Sequence, residues 1–208
     1  MIRAEITAIG TVKRAATIRT DKNNNPYLSF ILAVNLADSD GKTKEIEIFV
    51  MDTKGQQSDL SLYSEKKRVS ITGTLDIRTK GEDLVYYLNV KSITTQDVAD
   101  LDAITGTLHF IGHLRKENFF EEKTDRNGNP YLIFSAYSTE KVGDNFVNTW
   151  VNFKRFRDSD DEVLREDWFQ SKANVDITGD LQISAFKGRI NLASRVKSIK
   201  PAERSQKA

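Results

Sequence analysis

The sequence predicts an all-β protein built as two tandem five-stranded Greek-key barrels, each carrying one short helix. Three observations predict it: a chain of 208 residues that is written twice, β-branched and aromatic runs with partial alternation in each copy, and Asn, Gly and Pro turn signals between those runs.

The repeat comes first because it fixes the domain count. Thr20-Asp21-Lys22-Asn23-Asn24-Asn25-Pro26-Tyr27-Leu28 recurs as Thr124-Asp125-Arg126-Asn127-Gly128-Asn129-Pro130-Tyr131-Leu132. Ile71-Thr72-Gly73-Thr74-Leu75 recurs as Ile177-Thr178-Gly179-Asp180-Leu181, and Val90-Lys91-Ser92-Ile93 as Val196-Lys197-Ser198-Ile199. Each pair lies roughly a hundred residues apart, far beyond the period of a solenoid unit, so the chain is a duplicated domain. The seam falls near Thr94 to Asp102, which gives barrels over 1–97 and 103–200 and a short basic tail over 201–208.

Each element then follows in order. Ile9-Gly10 and Ile111-Gly112 sit in the opening strands. Asn127-Gly128 is a strong hairpin signal, and Asn23-Asn24-Asn25 marks the same turn in the first copy. The run Tyr27–Val34 has the composition of a strand, as does the third run, Glu45–Met51 in one copy and Thr149–Phe156 in the other. A short helix is expected around Gln57–Ser64 and another around Asp161–Gln170, where Ser159 or Asp160 caps and Asp161 and Glu162 favour the helix dipole. Val69–Leu75 and Val175–Leu181 are fourth strands. Three strands, a helix and two strands suit the five-stranded OB barrel.

Composition narrows the function. Lys and Arg number 31 against 30 acids, so the net charge of +1 leaves no basic footprint, and any nucleic-acid binding must rest on local patches and aromatic rings. There is no cysteine, which excludes disulfides, thiolate metal sites and a cysteine nucleophile. No apolar run approaches the roughly eighteen residues of a membrane helix, and Met1-Ile2-Arg3-Ala4-Glu5 places charges where a leader peptide needs its apolar stretch. A cytoplasmic protein is expected. His109 and His113 lie on a strand with no carboxylate cluster to complete a metal site, and Asp158–Glu162 lacks the glycine and the terminal glutamate of a calcium loop. No phosphate-cradling glycine loop and no nucleophile elbow occur, so the expectation is a protein without cofactor, metal or catalytic group.

At this point the residues resemble the bacterial single-stranded DNA-binding protein family, in its form with two tandem OB-fold domains per chain. Ile111-Gly112-His113-Leu114 is similar to the family's opening strand. Leu132-Ile133-Phe134-Ser135-Ala136 is similar to the strand ending its next hairpin, and Thr149–Phe156 to its third strand with Trp at the start and Phe at the end. Val175–Leu181 resembles its V-x-I-x-G-x-L strand, and Phe186 falls where the family carries a further stacking aromatic. The likeness covers about 1–95 and 103–200. It implies sequence-nonspecific binding of single-stranded DNA in replication, repair, recombination or mobile-element transfer, by a homodimer presenting four barrels. Nothing visible reads a 2′-hydroxyl, so RNA stays open beside DNA.

Such binding needs ring faces for unpaired bases and cations for phosphates. Side chains two apart on a strand share a face, so Trp150, Asn152, Lys154 and Phe156 line one face while Val151 and Phe153 point to the other. Phe186, Lys187 and Arg189 are expected to extend that platform, and Arg115 and Lys116 to reach phosphate. Trp168-Phe169 align with Leu62-Tyr63 and are expected to pack a helix on the barrel.

The first copy departs from the pattern. Its third strand has no Trp, Lys80 stands where the second copy has Phe186, and Glu45 and Glu47 would repel phosphate. Lys13, Arg14, Arg78 and Lys80, with Tyr86 or Tyr87, remain to contact a strand, and the first copy is expected to bind more weakly and to serve partly in assembly. The ending Lys200–Ala208 is basic where family members that recruit replication enzymes carry an acidic tip, so such recruitment is not expected, and an accessory or mobile-element form fits. The rival reading is an OB-fold protein-interaction module, whose faces pack against a partner protein or a second subunit.

Overall fold

The computed structural model describes residues 1–38, 41, 43–81, 83–156, 163 and 166–203. The chain divides into two compact units. An N-terminal unit comprises Arg3–Gly106 with Ile183–Ile190, and a C-terminal unit comprises Thr107–Gln182 with Met1–Ile2 and Asn191–Ala208.

In the N-terminal unit the strands are β1 (Ile2–Thr20), β2 (Pro26–Ala37), β3 (Thr43–Asp52), β4 (Arg68–Lys80) and β5 (Asp83–Thr94). Their order β2-β3-β5-β4-β1 is closed by a further β1–β2 pairing, which makes a five-stranded barrel. Pairing is antiparallel except between β3 and β5, which run parallel as a Greek-key crossover requires. One strand closes the ring because β1 bends. Its first half pairs with β4 and its second half with β2, with register shifts between Val12 and Arg14 and between Arg14 and Thr17. Extra residues at such bulges turn a strand toward a second partner.

The second barrel repeats this plan with β6 (Ala103–Leu114), β8 (Pro130–Val142), β9 (Asn145–Phe156), β11 (Arg189–Pro201) and β10 (Asn174–Phe186), closed by β6–β8 pairing. The opening strand is split here: β7 (Phe120–Thr124) pairs with β8 as the second half of β1 pairs with β2.

The repeated motifs are structural. Asp21 Oδ1 accepts from the backbone N–H of Asn23 and Asn25, both at 2.8 Å, and Asp125 Oδ1 accepts from those of Asn127 and Asn129 at 2.9 and 2.8 Å. Asn24 and Gly128 hold matching left-handed conformations, φ 63° and 83°. The repeated Ile-Gly pairs sit where strands cross. A Cβ on Gly10 would lie 2.3 Å from the Ala33 carbonyl oxygen, and one on Gly112 would lie 2.2 Å from that of Tyr137.

Each barrel is plugged by an aromatic residue from the segment after its third strand. A 3-10 helix over Gln57–Tyr63 buries Tyr63, whose ring stacks on Phe30 at 5.2 Å. In the second copy Phe169 is buried against Phe119, Phe120 and Phe134. Residues 161–162 and 164–165 of the second expected helix, with the caps Ser159 and Asp160, lie outside the described residues. Val163 is in 3-10 conformation and the described stretch Glu166–Gln170 runs as turns and bends, so Phe169 itself reaches the core from outside a helix. Among the described residues no helix is long and apolar enough to cross a membrane.

Candidate nucleic-acid interface

Strict alternation in β9 decides which side chains face out. Thr149, Val151 and Phe153 are buried, and the ring of Phe153 stacks on Phe134 and meets Phe110 edge-on in the core. The opposite parity, Trp150, Asn152, Lys154 and Phe156, therefore lies on the outer surface, with Trp150 47% exposed. β8 alternates likewise, burying Leu132, Phe134 and Ala136 and turning Tyr131, Ile133, Ser135 and Tyr137 outward.

Register then assembles rows across strands. His113 on β6 is opposite Tyr137 on β8, and Tyr137 is opposite Trp150 on β9. Their rings form a run: His113 stacks on Tyr137 at 5.8 Å, and Tyr137 lies 4.9 Å from Trp150. The next row is polar. Ser135 Oγ donates to Asn152 Oδ1 at 2.8 Å, Asn152 Nδ2 donates to Asn191 Oδ1 at 2.9 Å, and the backbone N–H of Arg115 donates to the Ser135 carbonyl. Beyond it Lys154 neighbours Arg195 on parallel β11, and Tyr131 neighbours Phe156.

The ends of this face differ in how the rings are used. Lys154 Nζ sits 3.9 Å from the Tyr131 ring centre and 4.6 Å from that of Phe156, and the Arg195 guanidinium carbon is 4.7 Å from the Phe156 ring. These are cation–π distances. Among the described residues no cation lies over Trp150. Asp125, in the turn before β8, is held below the usual carboxylate range by the side-chain and backbone N–H groups of Asn129 and, to a lesser extent, by Lys154.

The expected site residues are therefore divided. Trp150, Asn152, Lys154 and Phe156 share one face of the C-terminal unit. Arg115 is exposed beside it, whereas Lys116 is exposed with its Nζ 4.0 Å from Glu117. Phe186, Lys187 and Arg189 belong to the N-terminal unit, where Lys44 Nζ donates to the Gly188 carbonyl and a cleft of about 810 Å³ is lined by Glu45, Phe49 and Arg189 among others. Phe186 is 55% exposed with Lys187 Nζ 5.3 Å from its ring.

In the same unit Glu45 and Glu47 face outward and both accept from Lys13 Nζ, at 2.5 and 2.6 Å. Hydrogen bonds to Glu45 and Glu47 raise the Lys13 pKa. Arg14 and Lys80 are exposed. Of the two tyrosines, Tyr86 is buried and its burial pushes the phenol pKa up, so only Tyr87 is a surface group. Tyr87 stacks on the partly exposed Phe49 at 5.5 Å, with the Arg78 guanidinium 5.9 Å from its ring.

Sequence reasoning missed Tyr131, Tyr137, Asn191 and Arg195, and it weighed His113 only as a metal ligand. The alternation from Tyr131 to Tyr137 was a usable signal; the placement of Arg195 needed the β9–β11 pairing. His109 Nε2 lies 2.8 Å from Asp176 Oδ1. Among the described residues no three His, Asp or Glu side chains gather as a metal site, and Asp158–Glu162 lie outside those residues.

No family model matches the chain, and no curated protein matches it. Solved structures do. The single-stranded DNA-binding protein of Thermus aquaticus is 14% identical, with 97% of this chain and 93% of that one covered and a TM-score of 0.47. The mitochondrial single-stranded DNA-binding protein Rim1 of S. cerevisiae is 24% identical over 46% of this chain and 91% of its own, with a TM-score of 0.37. The N-terminal domain of the PriB protein from Thermoanaerobacter tencongensis, a dimeric structure, is 17% identical over 43% of this chain and 93% of its own, with a TM-score of 0.29.

Proposed function

We propose that this protein binds single-stranded DNA without sequence preference, chiefly on the outer face of its second barrel. The observation that carries the reading is the ring row His113–Tyr137–Trp150, half exposed and bordered by amide and cationic side chains. Every base has a flat face, so a ring platform accepts any sequence, and each stacked base contributes about 1–3 kcal/mol. Asn152 and Asn191 offer hydrogen bonds to base edges or sugar, while Arg115, Lys116 and Lys154 meet phosphate. Phe186, Lys187 and Arg189, with Arg14 and Lys80, supply a second set of contacts on the N-terminal unit. A homodimer with four barrels, working in the cytoplasm without a catalytic group, is part of this reading.

A second reading suits the N-terminal unit taken alone. Glu45 and Glu47 on its outer strand, with Lys13 bound to both, favour a protein partner over a polyanion.

The test is a titration with oligo(dT) followed by intrinsic tryptophan fluorescence at low and high salt. Strong quenching that weakens with salt and is absent in Trp150→Phe is expected. No quenching and no mobility shift at low salt would sink the DNA reading in favour of the protein-interaction module.

A further inference from the structure

We infer that the far end of β9 is a phosphate clamp, in which Phe156 positions two cations and does not itself stack a base. The inference rests on the single-strand reading and refines how that face divides its work.

Lys154 and Arg195 are neighbours on parallel strands, so two positive charges lie side by side on an open face. Among the described residues neither forms an ion pair with a carboxylate. Asp125, the acid that Lys154 influences, has both oxygens engaged by its own turn: Oδ1 by the N–H groups of Asn127 and Asn129, Oδ2 by the Asn129 amide at 3.0 Å. What holds the two cations is ring surface. Lys154 Nζ lies 3.9 Å from the Tyr131 ring centre and 4.6 Å from that of Phe156, and Arg195 lies 4.7 Å from Phe156. The electron-rich ring face draws both cations toward it and lowers the cost of keeping them adjacent. Their remaining N–H donors stay available to an anion, and a phosphodiester offers oxygens to both at once.

A base stacking on Phe156 would compete for its ring with these two cations, both within 5 Å of the ring centre. No such competition arises at Trp150, whose ring carries none among the described residues. The matched ladder positions of the first barrel contain Met51 and Asn89 in place of Lys154 and Arg195, so the clamp belongs to the second barrel alone.

The test is the slope of log affinity against log salt for oligo(dT), with tryptophan quenching at saturation read in the same titrations. Each phosphate neutralised on a single strand contributes a slope of about −0.7. The double variant Lys154→Ala with Arg195→Ala is expected to flatten the slope by about 1.4 and leave saturation quenching unchanged. Phe156→Leu keeps apolar bulk but removes the ring, and it is expected to flatten the slope by about 0.7 to 1.4, with a defect that fades at high salt. Phe156→Tyr is expected to restore the parent slope. If Phe156→Leu weakens binding equally at low and high salt with the slope unchanged, Phe156 stacks a base and the clamp is overturned. If the parent protein binds no oligo(dT) at low salt, the single-strand reading falls and the clamp with it.

Discussion

The outer faces of β9 and β3 hold the same place in two barrels of one topology, yet they carry different side chains. The repeat equates Tyr131 with Tyr27, and the ladders then match the faces rung by rung. Trp150 is paired with Tyr137, and Glu47 with Ala33; Asn152 is paired with Ser135, and Phe49 with Ile31; Lys154 is paired with Ile133, and Met51 with Ser29. The inner faces stay alike. Val151 and Phe153 are buried in one barrel as Ile48 and Val50 are in the other. Packing admits few side chains at an inward position, since interiors are as dense as organic crystals, whereas water accepts nearly any at an outward one. A duplicated barrel therefore keeps its core and turns while one outer face carries the His113–Tyr137–Trp150 row and the other carries Glu45 and Glu47 tied to Lys13 beside the Phe49–Tyr87 pair.

The sharpest way to break the comparison is to alter its central rung. Trp150→Ala is expected to weaken oligo(dT) binding by about 1–3 kcal/mol, or roughly 5- to 150-fold, in an anisotropy titration at low salt. Glu47→Ala, the same rung of the other barrel, is expected to change affinity less than about fivefold, because it alters one exposed ion pair. Equal losses from the two variants would show that both faces bind alike.

A second test asks whether the scaffolds are as similar as the faces are different. Gly10→Ala and Gly112→Ala each force a methyl group against a facing carbonyl oxygen, 2.3 Å and 2.2 Å away. Each is expected to cost about 1–3 kcal/mol of stability, seen as a lowered melting temperature. A loss at only one of them would mean that the two strand crossings are not equivalent.

The smallest effect concerns the paired turns. Asp21 is held below the usual carboxylate range by backbone and side-chain hydrogen bonds from Asn25, and Asp125 by those from Asn129. A depressed folded-state value stabilises the protein above the unfolded carboxylate pKa, and that contribution is lost as pH falls through the folded value. Melting temperatures measured from about pH 5 down to about pH 2 should therefore show a shallower acid decline in Asp21→Asn and Asp125→Asn, by similar amounts. A change in only one variant would mean that the two turns are not doing the same job.

Much of this was legible in the chain. The two copies, their strands and the shared face of Trp150, Asn152, Lys154 and Phe156 follow from repeat and alternation, because a strand's side-chain period is fixed by its backbone. That this face is the outer one follows only from the burial of Thr149, Val151 and Phe153. The Thr-Asp and Asn-Pro-Tyr motif announced a turn for the same local reason. His113 and Arg195 were not legible as site residues, since each joins the face through a strand remote in sequence. Phe186, Lys187 and Arg189 show the limit from the other side. The repeat aligns them with Lys80 and its neighbours, but it carries no information about what a hairpin tip packs against, and they group with the N-terminal unit.

The sequence by itself determined the fold class, the duplication and the composition of each strand's two faces, since those depend on local backbone geometry and on periodicity. Only the tertiary structure decided which rings meet, which cations rest on them and which charges face one another. Those outcomes depend on register between strands, and a shift of one residue would have turned every side chain of β9 to the opposite face.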